Sequence, residues 1–226
     1  MSQINVAVIF YNEVELVDMN GPIDVFVKAN RSNNNRYNIY TVAEKGMPRI
    51  TEKDVVSICP TYTIYDCPMP DIIVLPGLIT DDNEASPAIV KWVKEFGEKV
   101  LAHPRKHTYI MSVCVGIYTL AKTGLLNGRK ATTHFLNLAD NSDGSIQKMY
   151  PQISFIQNKR FVADGIFITT GGITSGIDGA LHLVEQIDGE KIARQTAGIM
   201  VYQRDAPIPP DTILPLKDPG LYGLPS

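Results

Sequence analysis

The 226-residue sequence holds no apolar run approaching the roughly 20 residues that a membrane-spanning helix needs. It has one tryptophan and only three cysteines, Cys59, Cys67 and Cys114, an odd number with no CxxC pair. That excludes a disulfide scaffold and suits a reducing compartment, with the cytoplasm as the default. Charge of either sign is scarce in excess. Twenty-one basic against 24 acidic residues leave a net −3, no footprint for nucleic acid or an anionic membrane. The amino terminus, MSQINVAVIFYNEVELVD, lacks a basic segment before its short apolar run and reads as a first strand, not a signal peptide. There is no GxGxxG, no Walker lysine motif and no HExxH. His103 and His107 stand four apart, but Pro104-Arg105 separates them, so an irregular solvated segment is expected and neither metal nor cofactor.

What is present is a series of apolar runs rich in β-branched residues. They cover 4–11, 71–75 (between Pro70 and Pro76-Gly77), 109–113, and 161–170 as two short strands turning at Asp164-Gly165. Continuous runs, as opposed to alternation, are the mark of parallel strands buried on both faces. Between them the spacing predicts helices over 23–30 (continuing from Gly21-Pro22), 86–100, 116–123, 174–187 and 190–202. Alternation of this kind predicts one α/β domain with a mainly parallel sheet over 1–205. A Pro-rich tail over 206–226 is expected to wrap the domain or a partner subunit.

Ser112-Val113-Cys114-Val115-Gly116 is the most informative segment. An apolar strand runs into Cys114, a helix leaves from Gly116, and small residues stand two positions either side. This is the sequence form of a nucleophile elbow, a strained strand-to-helix turn that presents one side chain at the carboxyl end of a sheet. Sulfur at a helix amino terminus is expected to favour thiolate. Cys59 and Cys67 have no such setting and read as ordinary thiols.

The elbow SVCVG, the downstream KATTHF and the block VADGIFITTGGITSGIDGAL resemble the ThiJ/PfpI superfamily of the class I glutamine amidotransferase-like fold. The opening VAVIFYNEVELVDMNGPIDVF and the middle DIIVLPG fit in the same order, so the resemblance runs to about Tyr202. VDMNGP, ATTH and TGGITSGID are similar to the isocyanide (isonitrile) hydratase-like branch. The resemblance implies a flavodoxin-like three-layer sandwich, a homodimer, no cofactor and a cysteine nucleophile.

Residue by residue, the resemblance sets Asp18 beside the nucleophile as a proton shuttle. On residue type alone, Asp18 or Asn20 would instead cap the helix after Pro22. Gly77 matches a turn whose amides, with that of the residue after the cysteine, hold developing negative charge. It is also explicable as an ordinary turn. Many members carry a second glycine where this chain has Leu78, which reshapes the pocket. His134 is a base, an orienting group or a packing residue. Gly171, Gly172 and Thr174 are expected along the cleft, and Asp178 is expected to fix the helix that follows. Val115 departs from the pattern: hydratases of the branch carry threonine there and protease-like members histidine. Valine leaves only its backbone amide.

The function implied is a cysteine-dependent lyase acting on a small electrophile, isocyanide plus water giving an N-substituted formamide. Two alternatives stay open. One is a glyoxalase- or deglycase-like activity on α-oxoaldehydes. The other is a non-catalytic redox sensor or regulatory module; relatives that are regulators carry an appended helix-turn-helix, for which 206–226 is too short, against direct DNA binding.

Overall fold

A computed structural model of the chain describes residues 2–46, 49–50 (backbone only), 55–78, 85–140 and 142–204. A seven-stranded sheet forms its centre, with β1 (Ile4–Ile9), β2 (Tyr37–Ala43), β5 (Tyr62–Thr63), β6 (Ile72–Leu75), β7 (Tyr109–Val113), β10 (Phe161–Asp164) and β11 (Phe167–Thr170). The order is β10-β11-β7-β6-β1-β2-β5. All neighbours are parallel except the β10–β11 hairpin at one edge. Two small pairs lie outside it: β3 (Arg49–Ile50) with β4 (Ser57–Ile58), and β8 (Lys130–Ala131) with β9 (Ser154–Phe155).

Helices α1 (Leu16–Ala29), α2 (Pro87–Ala102), α3 (Ile117–Lys122), α6 (Ser175–Asp188) and α7 (Glu190–Ile199) flank the sheet; α4 (Phe135–Ala139) and α5 (Ile146–Met149) are short. Without the edge pieces, the strand order reads 2-1-3-4-5 along the chain, the flavodoxin-like arrangement. The central strands are mostly apolar because both faces are covered. Val6 to Ile9, Ile72 to Leu75, Ile110 to Val113 and Phe167 to Thr170 are all buried. Among the described residues no helix is long and apolar enough to cross a membrane.

The expected strands are all present, and most helices agree to within a few residues. Ser86 caps α2, its side chain accepting from the Ile89 amide at 3.4 Å, with Pro87 in the first turn. The helix expected to start at Pro22 begins six residues earlier, and Pro22 lies inside α1. Glu15 caps it by accepting from the Val17 amide, so neither Asp18 nor Asn20 is the cap. Pro22 is tolerated because its ring faces α6: a methyl on Gly176 would touch Pro22 Cγ at 3.6 Å. The last helix ends at Ile199 and not Tyr202, since Val201 turns left-handed at φ 52°. Strand β2 has no counterpart in the sequence reading, because YNIYTVA interleaves polar residues on a half-buried strand near the sheet edge. The Pro-rich tail expected at 206–226 lies outside the described residues.

Candidate active site at the carboxyl ends of the strands

The strand order reverses between β1 and β6, which opens a crevice beyond their carboxyl ends. Three segments meet there: the turn into α1 with Asp18, the Pro76-Gly77 turn after β6, and the elbow after β7. Cys114 opens a 3-10 turn, Cys114–Gly116, that leads directly into α3. Its backbone is left-handed at φ 54°, a strained conformation for a residue with a side chain. Two glycines make the elbow possible. A Cβ on Gly116 would lie 2.1 Å from the Leu75 carbonyl oxygen, and one on Gly172 would lie 2.6 Å from Cys114 Sγ. A third support is Thr133, whose Oγ1 donates to the Cys114 carbonyl at 2.8 Å.

Asp18 is fully buried in the first turn of α1 beside the Cys114 thiol, and its Oδ1 has no hydrogen-bond partner among the described residues. Its Oδ2 accepts from the Gly77 amide at 3.0 Å. Burial outweighs these contacts, and nearby Glu15 adds to it, so the carboxyl is pushed up to about 8. Cys114 is 6% exposed. Its thiol is pushed well above the usual range, by burial first and then by the Asp18 carboxyl, while the Val115 amide pulls the other way. The expectation of a thiolate held by the helix amino terminus is thus corrected: desolvation exceeds what one amide returns. At neutral pH the pair keeps both protons. The Asp18 carboxyl is the first to ionise, near 8.

The other candidates fall in different places. The Gly77 amide is already committed to Asp18, so it positions the acid. Leu78 is buried and bridges to Val14. Val115 is buried, with its amide on the sulfur. His134 and Gly172 line a cavity of about 330 Å³ together with Phe135, Leu138, Lys159 and Arg160. The His134 ring tilts against Phe135 at 4.5 Å, and burial lowers its basicity. Because Gly172 lines this cavity and also packs against Cys114, the cavity adjoins the elbow. Thr174 is exposed and is not among the residues lining this cavity; Arg160 donates to its Oγ1 at 3.4 Å. Asp178 fixes the local fold as expected, accepting from Arg160 and, at 2.9 Å, from Tyr202 Oη.

Sequence reasoning missed Thr133 and Arg160. Thr133 sits inside the quoted ATTH motif, and that adjacency was the available signal. Arg160 had none, because its partners lie on the far side of a hairpin.

Comparison with known proteins decides the family. The model of the DJ-1/PfpI family matches residues 4–186. This chain belongs to the DJ-1/PfpI family. It is 29% identical to an isonitrile hydratase of Pseudomonas putida over 214 residues, covering 92% of this chain and 81% of that protein. It is 27% identical to the HTH-type transcriptional regulator CdhR of Pseudomonas aeruginosa, covering 79% of this chain and 49% of the regulator, about half its length. Among solved structures, a ThiJ/PfpI family protein from Pseudomonas syringae superposes with a TM-score of 0.71 at 25% identity, over 92% of this chain and 79% of that one. Drosophila melanogaster DJ-1beta gives 0.71 at 20% identity, over 90% of this chain and 100% of that one, and supports the fold.

Proposed function

We propose that the chain is a cysteine-dependent lyase that hydrates isocyanides to N-substituted formamides. The observation that carries this reading is the buried Asp18–Cys114 pair on the elbow, which holds a nucleophile and a proton in contact at neutral pH. Likeness to an isonitrile hydratase supports the choice of substrate.

In the first step the sulfur forms a bond to the terminal isocyanide carbon as that carbon takes a proton from Asp18. The thiol proton passes to the carboxylate, and the product is a thioimidate, R–N=CH–S–Cys114. Such transfer is efficient because the acid's pKa lies close to the working pH. In the second step Asp18 gives the proton it received from the thiol to the imine nitrogen and takes one from water as the water oxygen adds to the C=N carbon. Collapse breaks the C–S bond, returns the proton to sulfur and releases the formamide. Both steps use only groups of this chain and water. The Val115 amide points at the sulfur and follows the change in its charge. The substituent on nitrogen fits the largely apolar cavity behind Gly172, against Phe135 and Leu138.

The match to half of a transcriptional regulator supports a second reading, a ligand- or redox-responsive module. Selective oxidation of Cys114 at low peroxide, with no turnover of any small electrophile, would favour that module. The lyase reading carries with it a homodimer in the cytoplasm, a reducing compartment, supported by exposed Val17 and Val27 on α1 and by three free cysteines.

The test is hydration of p-nitrophenyl isocyanide by the wild type and by Cys114→Ala, following the formamide. Turnover that disappears in the variant is expected. Turnover absent in both sinks the lyase. Lactate formed from methylglyoxal at an enzymatic rate would move the assignment to α-oxoaldehydes.

A further inference from the structure

A second cleft lies at the opposite end of the sheet, beyond the amino ends of β1, β2 and β7. It measures about 740 Å³ and is lined by Arg36, Lys106, His107, Asp188, Lys191 and the Asn33 to Asn35 loop, among others. The volume is typical of a small-molecule site. Asp188 is the carboxylate in that lining, and it is saturated. It accepts from Arg36, from Asn33 Nδ2 at 2.8 Å and from Tyr37 Oη at 2.6 Å. A cation entering the cleft therefore meets no uncommitted acid there. An anion meets Lys106 and Lys191 and the Arg36–Asp188 ion pair.

Two further features favour an anion. Arg36 is held in place, its side chain 9% exposed, and neutralises Asp188, the acid of the lining, which leaves Lys106 and Lys191 to set the sign of the cleft. In addition, α7 starts at the cleft. Its cap residue, Gly189, has no side chain to offer, so the first-turn amides of this ten-residue helix stand uncapped beside Lys191 and Ile192. Helix amino termini with free amides bind phosphate groups, and fixed cations beside them add to the attraction. His107 in the lining is held below its usual basicity by burial first, then by Arg36 and Lys106, against the opposing pull of Asp188 and Asp71. Asp71 pairs with Arg105 nearby.

We infer that the cleft between the Asn33 to Asn35 loop, Lys106 and the start of α7 binds a small molecule through a phosphate or pyrophosphate group. Arg36, pinned by Asp188, sets the direction of approach. Lys106 and Lys191, both exposed, close over the anion. The inference is independent of the chemistry at Cys114.

The probe is inorganic pyrophosphate, titrated by calorimetry and by its effect on Tm. Arg36 is left intact, because its removal would strand a buried carboxylate. The informative protein is the Lys106→Ala, Lys191→Ala double variant, compared with a Lys91→Ala, Lys94→Ala double variant on the exposed face of α2. Saturable binding that weakens about tenfold or more in the first variant only is the expected result, the loss of at least one charge-assisted contact. Absence of saturable binding overturns the inference, and so does an equal effect in both variants. Retention of binding by Cys114→Ala is also expected; its loss would assign the ligand to the other end of the sheet and overturn the site.

Discussion

Gly172 rests against Cys114 so closely that a methyl in place of its hydrogen would lie 2.4 Å from the cysteine Cβ and 2.6 Å from Sγ. The contact is between two left-handed residues, φ 72° and 54°, that follow the neighbouring strands β11 and β7. Gly172→Ala is therefore expected to displace the sulfur. Turnover should fall by about a hundredfold, since misplacement of a reacting atom by an ångström costs that much. Stability should fall by about 1–3 kcal/mol. Steady-state kinetics and urea unfolding check the two effects separately.

Asp18→Asn tests the proton. The folded carboxyl is raised from 3.8 to about 8, so the native state binds more protons than the unfolded chain between those values. Stability conferred by the protonated acid is then full below about pH 4 and is lost as pH rises through 8. The wild type should lose Tm across that window, and the asparagine variant, which keeps an acceptor for the Gly77 amide, should not show the same slope. For catalysis, kcat/KM should be level below about pH 8 and fall above it, as Asp18 loses the proton that the isocyanide carbon takes. In the variant that limb should vanish along with most of the rate.

Gly116→Ala and Gly189→Ala separate crowding from backbone conformation. At Gly116 the added Cβ meets backbone, 2.1 Å from the Leu75 carbonyl oxygen, which cannot move without breaking the sheet. A loss of about 3 kcal/mol or more is expected, or failure to fold. At Gly189 φ is 90° but nothing lies within 4 Å, so only the conformational cost of about 1–2 kcal/mol remains. Comparable losses in the two variants would contradict this account of the elbow.

Phe135→Ala tests the cavity behind Gly172. The ring is 37% exposed and stacks on His134, so its removal should leave the fold intact. The expected effect is a rise of severalfold in KM for aromatic isocyanides, about 1 kcal/mol of lost contact, with kcat little changed. Small alkyl isocyanides should be indifferent to the change.

The features legible in the sequence are those whose cause is local. Strands β1, β6, β7 and β11 announce themselves because burial on both faces demands largely apolar runs. The elbow does so because strand, cysteine and glycine are contiguous. Asp18 is different: nothing near position 18 states that it meets a sulfur 96 residues away, and resemblance alone pointed to it. The direction of the Cys114 shift was also invisible, since it depends on how completely neighbours exclude water. Pro22 misled because proline at a helix start is the common case, whereas here α6 covers the ring. Arg36 and Asp188 are 152 residues apart and had no signature at all.

The elbow also bears on the order in which the chain matures during synthesis. Its closing contacts come from Leu75, Thr133 and Gly172, so a ribosome must deliver more than three-quarters of the polypeptide before the sulfur is seated. Until then Cys114 is an accessible, ordinary thiol. Its loss of reactivity toward a small alkylating reagent would accordingly time the arrival of β11 on nascent chains of increasing length.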